Sequence, residues 1–181
     1  MIYEPAEDSF LLSSQIKKYV KNKSFLDMGS GSGILAQIAL EEGASRILAV
    51  DINKEAVLYI KSKKINAIKS DLFNNINEKF DIIAFNPPYL PLDYREPNES
   101  RIATTGGKKG DEIIIRFLKQ SKAHLNKEGF ILLLLSSLTP RNRIMVILKK
   151  LKLKHKKIAE KSLFFEKLEV WEIKRDKHNN Q

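Results

Sequence analysis

Ser24-Phe25-Leu26-Asp27-Met28-Gly29-Ser30-Gly31-Ser32-Gly33 joins a short apolar run to three glycines at alternate positions. The apolar run predicts a buried strand. Glycine permits positive φ angles and lets a ligand approach the backbone closely where a strand turns into a helix. Ile34 to Glu42 then predicts a helix that Gly43 closes. A strand, a glycine turn and a helix in this order are typical of nucleotide-binding α/β proteins.

The alternation of strand and helix continues on both sides of this segment. A leading helix is predicted at about residues 5–20, and a cap at Thr139 with Pro140 opens the last helix. The other predicted strands are Arg46–Val50, Ile65–Lys69, Phe80–Phe85, Phe130–Ser136, Lys154–Glu160 and Lys167–Lys174, with helices from Asn53 and over Asp111–Leu125. This pattern predicts a Rossmann-like α/β domain over residues 1–174 and a polar tail at 175–181.

Composition excludes several classes of function. The chain has 181 residues, 43% hydrophobic and 30% charged, and no cysteine, so a disulfide framework, a thiol nucleophile and a cysteine metal site are ruled out. His124, His155 and His178 do not cluster with other ligands, and no metal site is predicted. Without an apolar run of membrane-spanning length or a signal-peptide pattern, we expect a cytoplasmic protein with no membrane contact.

The net charge of +10 is concentrated in the last third of the chain. From Arg141 onward there are 13 basic and 5 acidic residues, with Lys149–Lys157 the densest stretch. Such a region can contact nucleic acid, and it can equally be the solvated face of a lysine-rich domain.

The glycine turn departs from the usual dinucleotide-binding pattern. The third glycine of that pattern would stand at Ile34, and Asp27 precedes the turn, where its carboxylate would oppose a pyrophosphate. The same carboxylate suits a ligand that carries an ammonium and a sulfonium group. These residues favour S-adenosylmethionine over a nicotinamide cofactor.

Three further residues fit an adenosine. Asp51 follows the second strand, 18 residues after Gly33, where a carboxylate can accept both ribose hydroxyls. Asp71 follows the third strand and could accept the exocyclic amine of an adenine, with Leu72 packing on the ring. Each can also be an ordinary polar or packing residue at the end of a strand.

The segment Asn86-Pro87-Pro88-Tyr89 ends the fourth strand, where open α/β sheets bind their ligands. Two prolines withhold backbone donors, so the segment presents acceptors, the Asn86 side chain and the Pro87 carbonyl. These suit the two hydrogens of a planar –NH₂ group, with Tyr89 stacking on its face. Holding both N–H bonds directs the nitrogen toward a methyl donor and stabilises the growing positive charge.

Together these segments resemble the class I S-adenosylmethionine-dependent methyltransferases, and more narrowly the HemK family of protein glutamine N5-methyltransferases. Tyr3–Leu12 and Thr105–Asp111 are similar to the short archaeal and eukaryotic branch, which modifies class I release factors. The resemblance implies a seven-stranded, mostly parallel sheet of order 3-2-1-4-5-7-6 with helices on both faces. The candidate catalytic residues are Asn86, Pro87, Pro88 and Tyr89, and the candidate cofactor-binding residues are Ser9, Asp27, Gly29, Gly31, Gly33, Asp51, Asp71, Leu72 and Asn86.

The resemblance also implies partners. The substrate would be the glutamine of the Gly-Gly-Gln loop in a class I release factor, methylated at its side-chain nitrogen. Members of the short branch work with a small zinc-binding activator protein. The edge strand near Ile65–Lys69 could receive such a partner, since an open sheet edge can pair with an added strand.

Other functions stay open at the level of sequence. A methyltransferase acting on an amine of rRNA or DNA would use the same motif, and the basic C-terminal third mildly favours it. A protein lysine methyltransferase would need a base, which the sequence does not identify. A binding scaffold without catalysis is a third class.

Overall fold

The computed structural model describes residues 5–88 and 106–176, and every structural statement below concerns these two ranges. Tyr3, Glu4, Tyr89, Thr105 and the tail after residue 176 lie outside them. Within the described ranges, every helix is too short or too polar to cross a lipid bilayer.

Among the described residues, five α-helices alternate with seven strands. The helices are α1 (Glu7–Tyr19), α2 (Ile34–Glu41), α3 (Lys54–Ser62), α4 (Glu112–Ser121) and α5 (Asn142–Lys150). The strands are β1 (Ser24–Met28), β2 (Arg46–Asp51), β3 (Ala67–Lys69), β4 (Phe80–Phe85), β5 (Leu125–Ser136), β6 (Leu153–Ser162) and β7 (Lys167–Arg175). A short 3₁₀ turn, Lys122–His124, joins α4 to β5.

The strands form one sheet of order β3-β2-β1-β4-β5-β7-β6. The first five strands run parallel, and β7 is antiparallel to both of its neighbours. The predicted fold class and strand order are therefore confirmed. The order reverses between β1 and β4, so a crevice opens beyond the carboxyl ends of these two strands.

The sheet is covered on both faces because its central strands are apolar at successive positions. In β5, Ile131, Leu133 and Leu135 join the core beneath α4 and α5, while Leu132 and Leu134 pack with α1 and α2. All five side chains are fully buried. Since neighbouring side chains of a strand point to opposite faces, a continuous apolar run is what a two-sided sheet requires.

Several predicted boundaries are wrong. The helix predicted over Asp111–Leu125 ends at Ser121, and the strand predicted at Ile65–Lys69 begins at Ala67. The last helix begins at Asn142 with Arg141 at its N-cap, and not at Pro140 with Thr139 as the cap. The Thr139 N–H instead donates to the Ser136 carbonyl in a turn that follows β5. Strand β5 begins at Leu125, five residues before the predicted start, and pairs there with Phe80 across a register shift. The polar residues between Leu125 and Phe130 hide this part of the strand from a reading of hydrophobicity.

Candidate functional site

The candidate residues converge on the crevice between β1 and β4. The glycine turn leaves the end of β1, and Asn86 follows the end of β4. The two strands are directly paired, with Met28 opposite Phe85. Sequence positions about 60 residues apart are thereby brought to one edge of the sheet.

The glycine turn is built from left-handed backbone. Gly29, Gly31 and Gly33 have φ angles of 62°, 51° and 75°. At Gly33 a side chain is excluded for a second reason, since an added Cβ would lie 2.8 Å from Cγ1 of Ile60 on α3. Glycine here lets α2 start immediately after β1 and places its N-terminus at the crevice.

Asp51 braces this turn from the end of β2. Its Oδ2 accepts a hydrogen bond from the Gly31 N–H at 2.7 Å, and its Oδ1 accepts one from the Asn53 N–H at 2.8 Å. The Ser30 N–H donates to the Val50 carbonyl at 2.9 Å and adds a second link between the turn and β2. A carboxylate oxygen can accept two hydrogen bonds, so each oxygen of Asp51 retains capacity for a hydroxyl donor.

Asp27 is the most unusual group in the site. It is fully buried in β1, and its Oδ2 accepts a hydrogen bond from the Ala36 N–H at 3.0 Å. Its Oδ1 is buried without a hydrogen-bond partner among the described residues. Burial raises the pKa of the Asp27 carboxyl from 3.8 to about 8, opposed by the Ala36 hydrogen bond and assisted by the negative charge of Asp51. An unsatisfied buried carboxyl is strongly stabilised by a cationic ligand.

The turn after β3 places Asp71 beside α4. Its Oδ2 accepts a hydrogen bond from Nη2 of Arg116 at 2.6 Å, and both side chains are partly exposed. Leu72 has a φ angle of 49°, which is uncommon for a residue with a side chain. Its side chain is buried in the core that also contains Met28, so packing holds this strained turn in place.

Asn86 is oriented by the first turn of α1. Its Nδ2 lies 3.5 Å from the Ser9 hydroxyl, which in turn donates to Oδ1 of Asp8 at 3.3 Å. Because that hydroxyl proton points to Asp8, Ser9 acts as an acceptor toward Asn86 and fixes the NH₂ side of the amide. Oδ1 of Asn86 is left buried and without a hydrogen-bond partner among the described residues.

A second segment packs on the proline pair. At Gly106, an added Cβ would lie 2.7 Å from the Pro88 carbonyl oxygen and 2.3 Å from that of Gly110. Asp111 follows in a fully buried position, with Nη1 of Arg143 from α5 at 3.0 Å from its Oδ1. The Ile113 N–H donates to the Gly106 carbonyl at 3.2 Å. The glycine segment is thus tied to α4 and α5 and forms one wall of the crevice.

The structure brings most of the predicted site residues to this edge of the sheet. Tyr89 lies outside the described residues, as does most of the predicted loop that follows it. Sequence reasoning missed Asp8 and Arg116, which contact predicted site residues through distant elements. Within residues 5–88 and 106–176, no group of three or more histidine or acidic side chains is arranged to hold a metal ion.

Comparison with known proteins identifies similar molecules. A family model described as the methyltransferase small domain matches residues 7–165. A Methanocaldococcus jannaschii protein named "Putative protein N5-glutamine methyltransferase" is 41% identical over 177 residues, which cover 93% of this chain and 89% of that protein. The human methyltransferase HEMK2 is 29% identical over 167 residues, covering 82% of this chain and 78% of the human protein.

A solved structure of similar fold comes from E. cuniculi. Its title describes the Mtq2–Trm112 complex responsible for methylation of the translation termination factor eRF1. The matched chain superposes with a TM-score of 0.78 at 23% identity, covering 96% of this chain and 98% of that one. This likeness shows the fold.

Proposed function

The chain belongs to the methyltransferase small domain family, and on this premise we propose that it methylates the side-chain amide of a glutamine in a class I release factor. The family resemblance predicted from the sequence is confirmed. The relative with 41% identity is named for N5-glutamine methylation, and its alignment covers nearly the whole of both chains. The alignment supports the same activity here.

The residues at the crevice fit S-adenosylmethionine as cofactor. When bound, it supplies an electrophilic methyl group on a sulfonium. The unpartnered Oδ1 of Asp27 can accept a hydrogen bond from an ammonium, and a bound cation would favour the ionised form of this carboxyl. The left-handed glycine turn lets a ligand approach the backbone. Asp51 keeps acceptor capacity for ribose hydroxyls, while Asp71 and Leu72 are the candidates for the adenine.

One observation carries the proposed reaction, namely the buried and unpartnered Oδ1 of Asn86. An amide NH₂ is a poor nucleophile because its lone pair is delocalised into the carbonyl. Asn86 Oδ1 and the Pro87 carbonyl would accept its two N–H bonds, which fixes the direction of the nitrogen lone pair and stabilises positive charge on it. Ser9 keeps the acceptor side of Asn86 toward the substrate. The proton can leave after methyl transfer, so no strong base is required at this site.

The experiment is methyl transfer from labelled S-adenosylmethionine. The acceptors are a class I release factor, the same factor with its Gly-Gly-Gln glutamine replaced by alanine, and ribosomal RNA, each with wild-type enzyme and with Asn86→Ala. We expect label on the intact factor alone, and its loss with Asn86→Ala while the cofactor still binds. Label on the alanine factor or on RNA would refute the proposal.

Part of the positive charge of the basic C-terminal region is neutralised within the protein, which weakens the argument for the nucleic-acid alternative. Seven of its 13 basic residues are ion-paired within the protein: Arg141, Arg143, Lys154, Lys157, Lys161, Lys167 and Lys174. Arg175 is bound to backbone carbonyls, including that of Leu125 at 2.9 Å. Charges that are already paired contribute little to phosphate binding, because the internal pairs must first be broken.

We further propose that a small activator protein adds a strand at β3. This strand forms one edge of the sheet, and the nearby side chains of Ile52, Leu58 and Tyr59 are exposed although apolar. An open strand edge beside exposed apolar side chains is typical of a protein interface. The E. cuniculi chain of similar fold belongs to a complex of two proteins, which supports this proposal. Binding of zinc would be a property of the partner.

The backbone of β3 allows a sharp test of this partner site. The Asn66 carbonyl accepts a hydrogen bond from the Ala49 N–H, and the Ser70 N–H donates to the Asp51 carbonyl, so residues 66 and 70 face β2. Because the backbone groups of successive residues in a strand face opposite sides, the Lys69 N–H faces the open edge. Lys69→Pro removes that donor, whereas Lys69→Ala removes only the side chain. Co-purification with the activator should be lost with the proline variant and kept with the alanine variant. Equal retention by both would contradict strand addition at β3.

A further inference from the structure

The tip of the β6–β7 hairpin exposes two adjacent aromatic rings. Phe164 and Phe165 are 91% and 85% exposed, far more than the other large apolar side chains of the described residues. Their rings touch only edge to face, with centroids 4.6 Å apart. Surface phenylalanines are common singly, but an adjacent pair at this exposure marks a surface that binds something.

The backbone of the turn does not require aromatic residues at the tip. The Leu163 N–H donates to the Glu166 carbonyl at 2.8 Å, which leaves Phe164 and Phe165 as the two residues at the tip. Neither phenylalanine has a positive φ, so the preference of type I′ and II′ turns for glycine, asparagine and aspartate does not apply here, and the backbone accepts most residue types. Local backbone preference therefore does not explain the choice of two aromatic residues.

The hairpin stands at the same edge of the sheet as Asn86. Phe85 pairs with Leu133 of β5, and three residues further along β5 Ser136 pairs with Leu168 of β7. The tip therefore projects beyond the carboxyl edge, where Asn86 also lies. Strand β7 is two strands away from β4, a lateral distance of roughly 10 Å.

The base of the hairpin is fastened to the site. Lys161 forms an ion pair with Glu7 in the first turn of α1, the turn that also carries Ser9. Glu166 accepts a hydrogen bond from the Ser136 hydroxyl at the end of β5. These contacts hold the tip in a fixed place relative to the Asn86 amide.

The charges around the tip are compensated within the protein. Lys161 is paired with Glu7, and Nζ of Lys167 lies 3.8 Å from Oε1 of Glu160. An apolar tip on a neutralised base fits an apolar protein surface better than a phosphate backbone or an anionic membrane, both of which require free cations.

We propose that Phe164 and Phe165 dock the protein that carries the methyl acceptor, by inserting into an apolar patch beside its acceptor loop. This inference rests on the proposed function and names the occupant as the class I release factor. The hairpin then contributes to binding of the whole factor and leaves the chemistry at Asn86 unchanged. A few aromatic residues at the centre of an interface often supply most of its binding energy.

The test is the paired variant Phe164→Ser with Phe165→Ser. Its matched control is Met145→Ser with Val146→Ser, an adjacent pair of exposed apolar residues on α5. The acceptors are the intact release factor and a short peptide containing only the Gly-Gly-Gln loop. We expect the hairpin variant to raise KM for the intact factor by about tenfold or more, with kcat and peptide methylation within about twofold of wild type. The control should leave all of these values unchanged.

Other results would separate the two proposals. An unchanged KM for the intact factor with the hairpin variant would overturn the docking surface while leaving glutamine methylation in place. An equal rise in KM for factor and peptide would also overturn it, because the effect would then come from the site itself. Loss of activator co-purification would assign the tip to the activator instead. Absence of label on both acceptors with the wild-type enzyme would refute the proposed function, and with it the occupant named here.

Discussion

Replacing Asp27 with asparagine should stabilise the folded protein and at the same time weaken cofactor binding. The carboxyl is fully buried, and one of its oxygens has no hydrogen-bond partner among the described residues. Asparagine has nearly the same shape and carries no charge at any pH. The substitution therefore removes the cost of a buried carboxyl and also removes the charge that a cationic ligand needs.

The magnitude follows from the pKa. Burial raises the pKa of Asp27 from 3.8 to about 8, so the unfolded chain releases this proton at a lower pH than the folded protein does. The stability attributable to this group is complete below pH 3.8, declines as the pH rises, and is constant above pH 8. The cost amounts to roughly 4 kcal/mol at pH 7 and roughly 5–6 kcal/mol above pH 8. The new amide leaves polar hydrogens unsatisfied at about 1–3 kcal/mol, so a net gain of about 1–3 kcal/mol is expected at pH 7.

The assay is denaturant unfolding of wild type and Asp27→Asn at pH 5 and pH 8.5, with calorimetric titration of S-adenosylmethionine at pH 8.5. We expect the stability advantage of the variant to grow between the two pH values, and its cofactor affinity to fall by about tenfold or more, given the lost charge. A stability difference that does not change with pH would show that Asp27 is not protonated in the folded protein. Unchanged cofactor affinity would refute its role toward a cationic ligand.

Two further substitutions probe the support of the site. Ser9→Ala should lower kcat by about tenfold with little change in KM for the acceptor, because the Asn86 amide loses the group that orients it. Steady-state kinetics with Ser9→Thr as a hydroxyl-retaining control would check this, and an equally active alanine variant would mean that Asn86 is oriented by other contacts. Gly33→Ala should lower the free energy of unfolding by about 1–3 kcal/mol, since it combines a φ of 75° with a Cβ placed 2.8 Å from Cγ1 of Ile60. The control Gly43→Ala, at a φ of 80° with open space around it, should lower it less in the same denaturant unfolding assay. Equal losses of stability at the two positions would show that crowding against Ile60 is unimportant.

The sheet could be predicted from the sequence because its signals are local. The apolar runs Ser24–Met28 and Phe80–Phe85 each end at a marked turn, and the structure gives both strands the predicted bounds. Asn53 also caps α3 as predicted, accepting the Glu55 N–H at 2.9 Å. The start of β5 at Leu125 was not predictable in this way, because it depends on long-range contacts: Leu125 pairs with Phe80, and Arg175 donates to the carbonyls of Leu125 and Asn126.

The site residues also differ in whether a local sequence pattern could identify them. Asn86 and Asp27 could be singled out because each stands at the end of a strand in a distinctive local pattern. The residues that contact the site from distant elements could not be identified in this way, since Ser9 contacts Asn86 across 77 positions and Arg116 contacts Asp71 across 45. Contacts of this kind depend on how α1 and α4 pack on the sheet, and no local pattern records that packing. The suggestion of Ser9 came from family resemblance alone.

The most direct test of the central claim is to locate the transferred methyl group on the acceptor. The release factor, after incubation with the wild-type enzyme and its activator, would be digested and sequenced by tandem mass spectrometry. The account predicts one added methyl on the side-chain amide nitrogen of the Gly-Gly-Gln glutamine, and none when Asn86→Ala replaces the wild type. A methyl group on a lysine, or on that glutamine at an undiminished level with Asn86→Ala, would contradict it.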